Sequence, residues 1–252
     1  HWRPDIALWV ESEFWPNIII ETREKHIPMV LVNGRISTKS FTGWQRAPSL
    51  IKTLLQCFTL CLGQSDTDVQ RLNRLGAVNP KNLGNLKFSA PPLPADVKAL
   101  NNLQSMIGNR PVFIAVSTHL GEEKIIATVH KNLKSKHPDL LTIIIPRHST
   151  RGPEILHTVQ QIMANSVLRS KDGLITDLTD IYIADTMGEL GLFYRLTEVV
   201  FMGKSLVPLG GQNPLEALNL NCAVLHGPHM TNFQSMSAQM IQLGCSLQVN
   251  NT

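Results

Sequence analysis

PVFIAVSTHLGEEKIIATVHKNLKSKHPDLLTIIIP, residues 111–146, carries the clearest structural signal in the chain. It begins and ends with short apolar runs, 111–117 and 140–146, and the segment between them, 121–138, has the spacing of an amphipathic helix. Continuous apolar runs are typical of strands that are covered on both faces of a parallel sheet. This succession of strand, turn, helix and strand predicts an α/β protein with a doubly wound parallel sheet.

The same alternation recurs along the rest of the chain. A second amphipathic segment follows at 152–166. Further apolar runs that predict strands occupy residues 6–10, 27–33, 180–185, 198–203 and 222–227.

The composition of the 252 residues is that of an ordinary globular protein, with 43% hydrophobic and 17% charged residues. The net charge of +4 is small and scattered, which argues against a nucleic-acid partner. No apolar run approaches the roughly 18 residues that span a bilayer, and no signal peptide is visible. Cys57 and Cys61 lie four residues apart in a segment that reads as an apolar helix, which favours reduced core cysteines on one helix face over a metal site.

A proline-rich segment divides the chain. SAPPLPAD, residues 89–96, holds three prolines and few core residues, so it fits neither a strand nor a helix. We predict a first domain over residues 1–89, a linker over 90–96 and a second domain over 97–252. The first domain holds only the later strands of its sheet, so we expect the chain to be a fragment that lacks an N-terminal part and a C-terminal end.

The turn LVPLGGQNPLEAL, residues 206–218, fits two roles. Asn213 and Glu216 have the spacing of a helix cap and its capping box, which is a purely structural reading. The adjacent glycines Gly210 and Gly211 instead favour the close approach of a ligand to the backbone. A helix start after a strand is also a natural anion site.

Three other strand ends carry similar signals. In ADTMGELGLFYRL, residues 184–196, Asp185 or Thr186 can cap a helix, or Gly188 can leave space for a ligand beside Glu189. In IIIPRHSTR, residues 143–151, Arg147 follows a strand and suits bidentate phosphate recognition, although an exposed loop position is the favoured explanation for a single arginine. In AVSTHLGEE, residues 115–123, Ser117, Thr118 and His119 can donate to an anion or cap a helix.

Two stretches of the first domain hold charged candidates. WVESEFWPN, residues 9–17, places Glu11 and Glu13 directly after a strand, where a carboxylate can act as a base, an acid or a sugar-hydroxyl acceptor. The alternative is that Glu13 is solvated and Glu11 caps a helix. GNLKF, residues 84–88, places Lys87 just before the linker, and a surface lysine is again the alternative.

Taken in order, these stretches closely resemble one family over essentially the whole chain. VESEFWPN, GNLKF, STHLGEE, PRH, MGELGLFY, FMGKSLVPLGGQNPLEAL and GPHMTNF are similar to the Kdo (3-deoxy-D-manno-octulosonic acid) transferases of lipopolysaccharide synthesis. The resemblance implies a GT-B glycosyltransferase with two Rossmann-like domains, the first incomplete here. It also implies inverting chemistry without a metal or cofactor, CMP-Kdo as donor and the lipid A precursor as acceptor. The parent protein would work at the cytoplasmic face of the bacterial inner membrane, through an N-terminal anchor that this chain lacks.

The resemblance also implies roles for individual residues. The essential carboxylate of the family matches Glu11, and its transition-state-stabilising lysine matches Lys87. The CMP contacts would be Pro146, Arg147, Met187, Gly188, Glu189, Asn213, Pro214, Leu215 and Glu216. Further donor contacts would be Ser117, Thr118, His119, Ser205, Gly210 and Gly211.

Some positions depart from the family pattern. Gln212 stands where the family has His, Ala217 where it has Pro, and Lys204 where a second Gly is usual. The general-base glutamate of the family would lie upstream of His1, so we expect the fragment itself to be inactive and to keep CMP binding in its second domain. The alternatives are a non-catalytic nucleotide-binding module and a GT-B enzyme that uses another sugar nucleotide.

Overall fold

The computed structural model describes residues 4–89 and 91–250, with the side chains of Lys87 and Ser235 outside the described part. The chain forms two compact units, His1–Ala90 and Pro91–Thr252. The boundary between them falls inside the proline-rich segment 89–96. Each unit is built on its own sheet of parallel strands.

The first unit has a sheet with the strand order β1-β2-β3-β4, in which all neighbours are parallel. Its strands are β1 Ala7–Val10, β2 Met29–Gly34, β3 Leu60–Gly63 and β4 Lys81–Asn82. Its helices are α1 Pro16–Glu24, α2 Thr38–Trp44, α3 Pro48–Leu55 and α4 Asp66–Arg74, followed by a 3₁₀ turn at Leu86–Ser89.

The second unit has a larger parallel sheet with the order β11-β10-β9-β5-β6-β8-β7. Its strands are β5 Val112–Thr118, β6 Leu141–Pro146, β7 Ser166–Leu168, β8 Ile181–Ile183, β9 Val199–Met202, β10 Ala223–His226 and β11 Ser246–Gln248. Its helices are α5 Val97–Ile107, α6 Glu122–Lys134, α7 Gly152–Gln160, α8 Leu190–Phe193, α9 Leu215–Leu218 and α10 Gln234–Gln242.

Apolar side chains cover both faces of the second sheet. Ile114 and Ile143 belong to a core cluster on one face, and Ala115 and Ile144 belong to the cluster on the other. Successive residues of a strand point to opposite faces, so a strand with both faces covered is apolar throughout. This confirms the α/β fold that the apolar runs predicted.

Within the proline-rich segment, Leu93 and Pro94 pack on the rest of the second unit. Arg195 donates a hydrogen bond to the carbonyl of Leu93 at 2.8 Å, and Leu93 contacts the main core cluster of that unit. A Cβ at Gly191 would lie 2.2 Å from the carbonyl oxygen of Pro94, so glycine is required for this close approach. None of the helices within residues 4–89 and 91–250 combines the length and apolar character that crossing a membrane requires.

The helical interpretation of the cysteine pair is wrong. Cys61 lies in β3, and Cys57 follows the end of α3, so the two do not share a helix face. The apolar run LIKTLLQCFTLCLG contains both the end of a helix and a strand, and periodicity does not separate the two in a continuous apolar run. Burial raises the pKa of the Cys61 thiol to about 11, which fits a packing role.

Candidate functional site

The order in which the chain adds strands to the second sheet reverses at β5. From β5 the chain continues to β6 on one side, and β9 lies on the other, so the loops after β5 and β9 leave the sheet side by side. In open α/β sheets, ligands bind at the carboxyl ends of the strands beside such a switch point. The predicted site residues of this unit lie at the carboxyl ends of β5 and β6 or in the segments after β5, β6, β8 and β9.

A buried glutamate joins the loops after β5 and β9. Glu122, which has no exposed surface, accepts a hydrogen bond from the amide of His119 at 2.9 Å. It also accepts from the amides of Lys204 at 2.7 Å, Ser205 at 3.0 Å and Leu206 at 3.0 Å. Four main-chain donors therefore hold one carboxylate, and that carboxylate fixes the entry to the glycine-rich turn.

Its neighbour Glu123 makes a second link. The Glu123 carboxylate accepts from the hydroxyl of Thr118 at 3.1 Å and from Arg151 at 2.8 Å. Thr118 and Ser205 have no exposed surface. The Ser205 hydroxyl accepts from the amide of Gly227 at 2.8 Å and donates to a carbonyl of β9. Of the predicted donor contacts, these two side chains therefore belong to the scaffold.

Of the other predicted residues around the ends of β5 and β6, Pro146 is buried, whereas Ser117, His119 and Arg147 are more accessible. Arg147 is exposed, and its amide donates to the carbonyl of Thr118 at 3.1 Å, which places it beside the β5 loop. Among the described residues its guanidinium has no hydrogen-bond partner. Nδ1 of the half-buried His119 lies 3.1 Å from the carbonyl of Ser117, and its ring meets that of His148 edge-on at 6.3 Å.

Gly210 and Gly211, in the turn after β9, are required by contacts within the protein that the sequence did not predict. Gly210 has a φ of +93° and Gly211 a φ of +78°, both in the region that favours glycine. A Cβ at Gly210 would lie 2.5 Å from the side chain of Asn232, and one at Gly211 would lie 2.4 Å from that of Met230. The close approach is therefore made by the protein itself, and the glycine pair alone does not indicate a ligand.

The capping-box interpretation of the next residues is also corrected. The helix α9 spans only Leu215–Leu218, and its N-cap position is Pro214, not Asn213 as predicted. Asn213 accepts from the amide of Leu215 at 3.2 Å, but the half-buried carboxylate of Glu216 makes no hydrogen bond within the described part of the chain. Glu216 is therefore free to accept a hydrogen bond from a ligand.

The turn after β8 is held by an arginine instead of a helix cap. Arg169 donates to both carboxylate oxygens of Glu189, at 2.8 Å and 2.6 Å, and Thr186 also donates to Glu189. Burial raises the pKa of Glu189, but the hydrogen bonds from Arg169 and Thr186 outweigh this effect, so the pKa lies below its usual value. With Tyr182 and Met187, these residues border an open pocket of about 690 Å³.

In the first unit, both predicted catalytic residues follow the same end of the sheet. Glu11 follows β1, has a φ of +62°, and its amide donates to the carbonyl of Val32 at 2.9 Å. The amide of Leu86, directly before Lys87, donates to the side chain of Asn33 at 3.1 Å. The side chain of Lys87 lies outside the described part. Since α1 begins at Pro16, Glu11 is not a helix cap, and the structural alternative for it is wrong.

Two important residues received no role from the sequence. Glu122 is part of the motif STHLGEE, and Arg169 directly follows the strand β7. The neighbouring sequence does not show which residues either side chain contacts. Within residues 4–89 and 91–250, no group of three His, Cys, Asp or Glu side chains is placed to hold a metal ion. The ligand-binding roles of the predicted residues stay predictions.

Comparison with known proteins identifies the family. The sequence profile described as "3-Deoxy-D-manno-octulosonic-acid transferase (kdotransferase)" matches residues 1–90. The 3-deoxy-D-manno-octulosonic acid transferase of Rickettsia felis is 35% identical over 251 residues, covering 100% of this chain and 54% of that protein. The crystal structure of the C-terminal CMP-Kdo binding domain of WaaA from Acinetobacter baumannii is 34% identical, with a TM-score of 0.58, and the match covers 61% of this chain and 81% of that one.

A more distant structure shows the fold alone. The UDP-GlcNAc 2-epimerase of Neisseria meningitidis, bound to UDP-GlcNAc, is 13% identical with a TM-score of 0.57, covering 96% of this chain and 69% of that one. These matches and the two parallel sheets confirm the GT-B class. The chain spans about half the length of the curated relatives it matches. It belongs to the family of 3-deoxy-D-manno-octulosonic acid (Kdo) transferases.

Proposed function

We propose that the protein transfers Kdo from CMP-Kdo to the lipid A precursor, lipid IVA, with inversion and without a metal ion. The second unit of this chain would bind CMP-Kdo. Family membership supports Kdo transfer, and the likeness to a domain described as binding CMP-Kdo supports the donor. The acceptor reaction would take place at the cytoplasmic face of the inner membrane.

The observation that carries the proposal is an accessible arginine at the switch point of the second sheet. CMP leaves as a phosphate monoester, so negative charge grows on its phosphate while the glycosidic bond breaks. Arg147 is exposed beside the β5 loop, and its five N–H groups suit a phosphate. A donor already in place where the charge develops lowers the barrier more than it strengthens ground-state binding.

The carboxylates suit the uncharged parts of the nucleotide. Glu216 has no internal hydrogen bond among the described residues and can accept from a ribose hydroxyl. Glu189 keeps spare lone-pair directions beside the pocket. Carboxylates would repel the phosphate, so we propose that both face the ribose or the base.

The first unit would supply acceptor-side groups. Glu11 holds a left-handed backbone conformation, with a φ of +62°, which is rare for residues other than glycine, asparagine and aspartate and is often found at functional sites. We propose that its carboxylate is the essential acidic group of the family and that Lys87 stabilises the departing phosphate.

The first test is calorimetric titration of this chain with CMP. We expect CMP to bind and Arg147→Ala to weaken binding at least about tenfold, the usual effect of losing a charge-assisted hydrogen bond. Arg74→Ala, an exposed arginine on α4 of the first unit, serves as the control and should change nothing. No binding by the wild-type chain, or equal binding of UMP and CMP, would contradict a CMP-Kdo donor site.

A second test separates catalysis from binding alone. In the full-length gene product, Glu11→Ala should abolish Kdo transfer from CMP-Kdo to lipid IVA and leave the affinity for CMP unchanged. A wild-type protein that binds CMP but transfers no Kdo would be the non-catalytic binding module.

A further inference from the structure

Arg169 makes an unusual number of directed contacts for a residue next to a pocket. Its guanidinium donates to both oxygens of Glu189 and to the hydroxyl of Tyr182 at 2.8 Å. The same group lies over the ring of Phe193, 5.6 Å from its centre. One side chain thus connects the strand β8, the turn after it and the helix α8.

The turn that Arg169 holds has little packing of its own. Met187 is 78% exposed, and Gly188 has a φ of +81° with no atom within 4 Å of where a Cβ would stand. The contacts that fix the turn converge on Glu189. Its carboxylate binds Arg169 and Thr186, and its carbonyl accepts from the amides of Leu192 and Phe193.

The charges around the pair are arranged to keep Glu189 ionised. The nearby carboxylate of Asp185 is taken up by the amide and hydroxyl of Ser170, at 2.9 Å and 2.6 Å. Asp172 borders the same pocket without an ion pair among the described residues. Arg169 is the cation in direct contact with Glu189, and the hydrogen bonds that it donates to Glu189 raise the pKa of Arg169, so neither partner loses its charge near neutral pH.

We infer that Arg169 is a positioning residue that acts through Glu189. It holds the turn Thr186–Met187–Gly188–Glu189 in one conformation, with an ionised carboxylate directed at the pocket to accept a hydrogen bond from a nucleotide. This inference rests on the proposed function for the identity of the ligand. The resemblance to the family gave a role to Met187, Gly188 and Glu189 but none to Arg169.

Calorimetry with CMP on the chain tests the inference. Arg169→Met should weaken binding at least about tenfold, and Arg169→Lys, which keeps the charge but loses the two-pronged geometry, should weaken it by less. Since Arg169 acts through Glu189, adding Arg169→Met to Glu189→Gln should cost less than about twofold more. Fully additive losses in the double variant would overturn the inference.

A matched control separates positioning from general damage. Arg110 donates to the carbonyls of Asp139 and Thr176, at 2.9 Å and 2.8 Å, beside the amino ends of β6 and β8. Arg110 does not line the pocket, so Arg110→Met, which removes a comparable set of hydrogen bonds, should leave the affinity for CMP within about twofold of the wild-type value. An equal loss of affinity in this variant would show that any destabilisation of the unit weakens binding.

Hydrogen exchange supplies a readout that needs no ligand. The amides of Leu192 and Phe193, which donate to the carbonyl of Glu189, should exchange at least about tenfold faster in Arg169→Met and at the wild-type rate in Arg110→Met. Unchanged protection of these amides in Arg169→Met would overturn the positioning role even where CMP binds. If wild-type protein binds no CMP, the proposed function and the nucleotide role of Arg169 both fail, and faster exchange would then show only a structural clamp.

Discussion

Two glutamates at the same edge of the second sheet are held in opposite ways. Glu122 is fully buried and accepts four hydrogen bonds, all from main-chain amides of the loops after β5 and β9. Glu189 has 26% of its side chain exposed and binds the side chains of Arg169 and Thr186. The first carboxylate has no surface for a ligand, whereas the second borders a pocket.

The difference separates scaffold from recognition. Main-chain amides are supplied by every residue except proline, so the Glu122 region depends on that one carboxylate and tolerates changes in the side chains around it. The Glu189 region depends on side chains, so its charge and orientation can change with a single substitution at Arg169. We expect substitutions at Glu122 to act on stability and those at Glu189 to act mainly on binding.

The strongest test of this comparison is Glu122→Gln. An amide keeps one acceptor oxygen but turns an NH₂ group toward two of the four main-chain donors, which leaves them buried and unsatisfied. Each such group costs about 1–3 kcal/mol, so we expect the second unit to lose about 3 kcal/mol of unfolding free energy. Glu189→Gln should cost at most about 1 kcal/mol, the usual value for a partly exposed ion pair.

The distribution of aromatic residues allows this loss to be assigned to one unit. The four tryptophans, at positions 2, 9, 15 and 44, are in the first unit, and both tyrosines, Tyr182 and Tyr194, are in the second. In urea unfolding, Glu122→Gln should shift the transition seen by fluorine NMR of fluorotyrosine and leave the tryptophan fluorescence transition in place. A shift of the tryptophan transition alone would contradict the assignment.

Most of the architecture was predictable from local patterns. The apolar runs at 111–117 and 140–146 became β5 and β6, and the amphipathic segment 121–138 became α6, which ends earlier, at Lys134. The strands β3, β4, β7 and β11 were missed. The run around Cys61 merges with the end of a helix, and the three-residue strand β7 begins at Ser166, the last residue of the segment 152–166 that reads as one helix.

The site was predictable only as a set of strand ends. Periodicity shows which residues follow a strand, and parallel strands bring those residues to one edge. It does not show which of them touch. Glu122 meets amides that lie more than eighty residues further along the chain, at Lys204, Ser205 and Leu206. The glycine pair was predicted to let a ligand approach, but the physical reason for it lies in residues 230–232, which no local pattern connects to it.

A smaller expected effect is the pH dependence of the stability that the ion pair between Glu189 and Arg169 contributes. The pKa of Glu189 lies below its ordinary value of 4.5. The ion pair with Arg169 therefore contributes its full stabilisation above about pH 4.5 and loses it as the pH falls through the folded-state pKa. The stability difference between wild type and Glu189→Gln should shrink as the pH is lowered from about 7 to about 3. Glu154→Gln, which removes an exposed carboxylate that pairs with Arg151, is the control. A stability difference that grows on acidification would show that the pKa of Glu189 is not lowered by folding.

The smallest expected effect concerns the main chain that Glu122 binds. Lys204 has a φ of +61°, a conformation that costs a residue with a Cβ about 1–2 kcal/mol, and the resembling family usually has glycine at this position. Lys204→Gly relieves this strain. Glycine loses more conformational entropy on folding, however, and this cost offsets about 0.5–1 kcal/mol of the stabilisation. We expect a net stabilisation of about 0.5 kcal/mol in the tyrosine-monitored transition. Lys131→Gly, at an exposed position inside α6, should instead destabilise by about 1 kcal/mol. If both variants destabilised, the lysine stem would contribute packing that outweighs the strain, and the loop would depend on side chains after all.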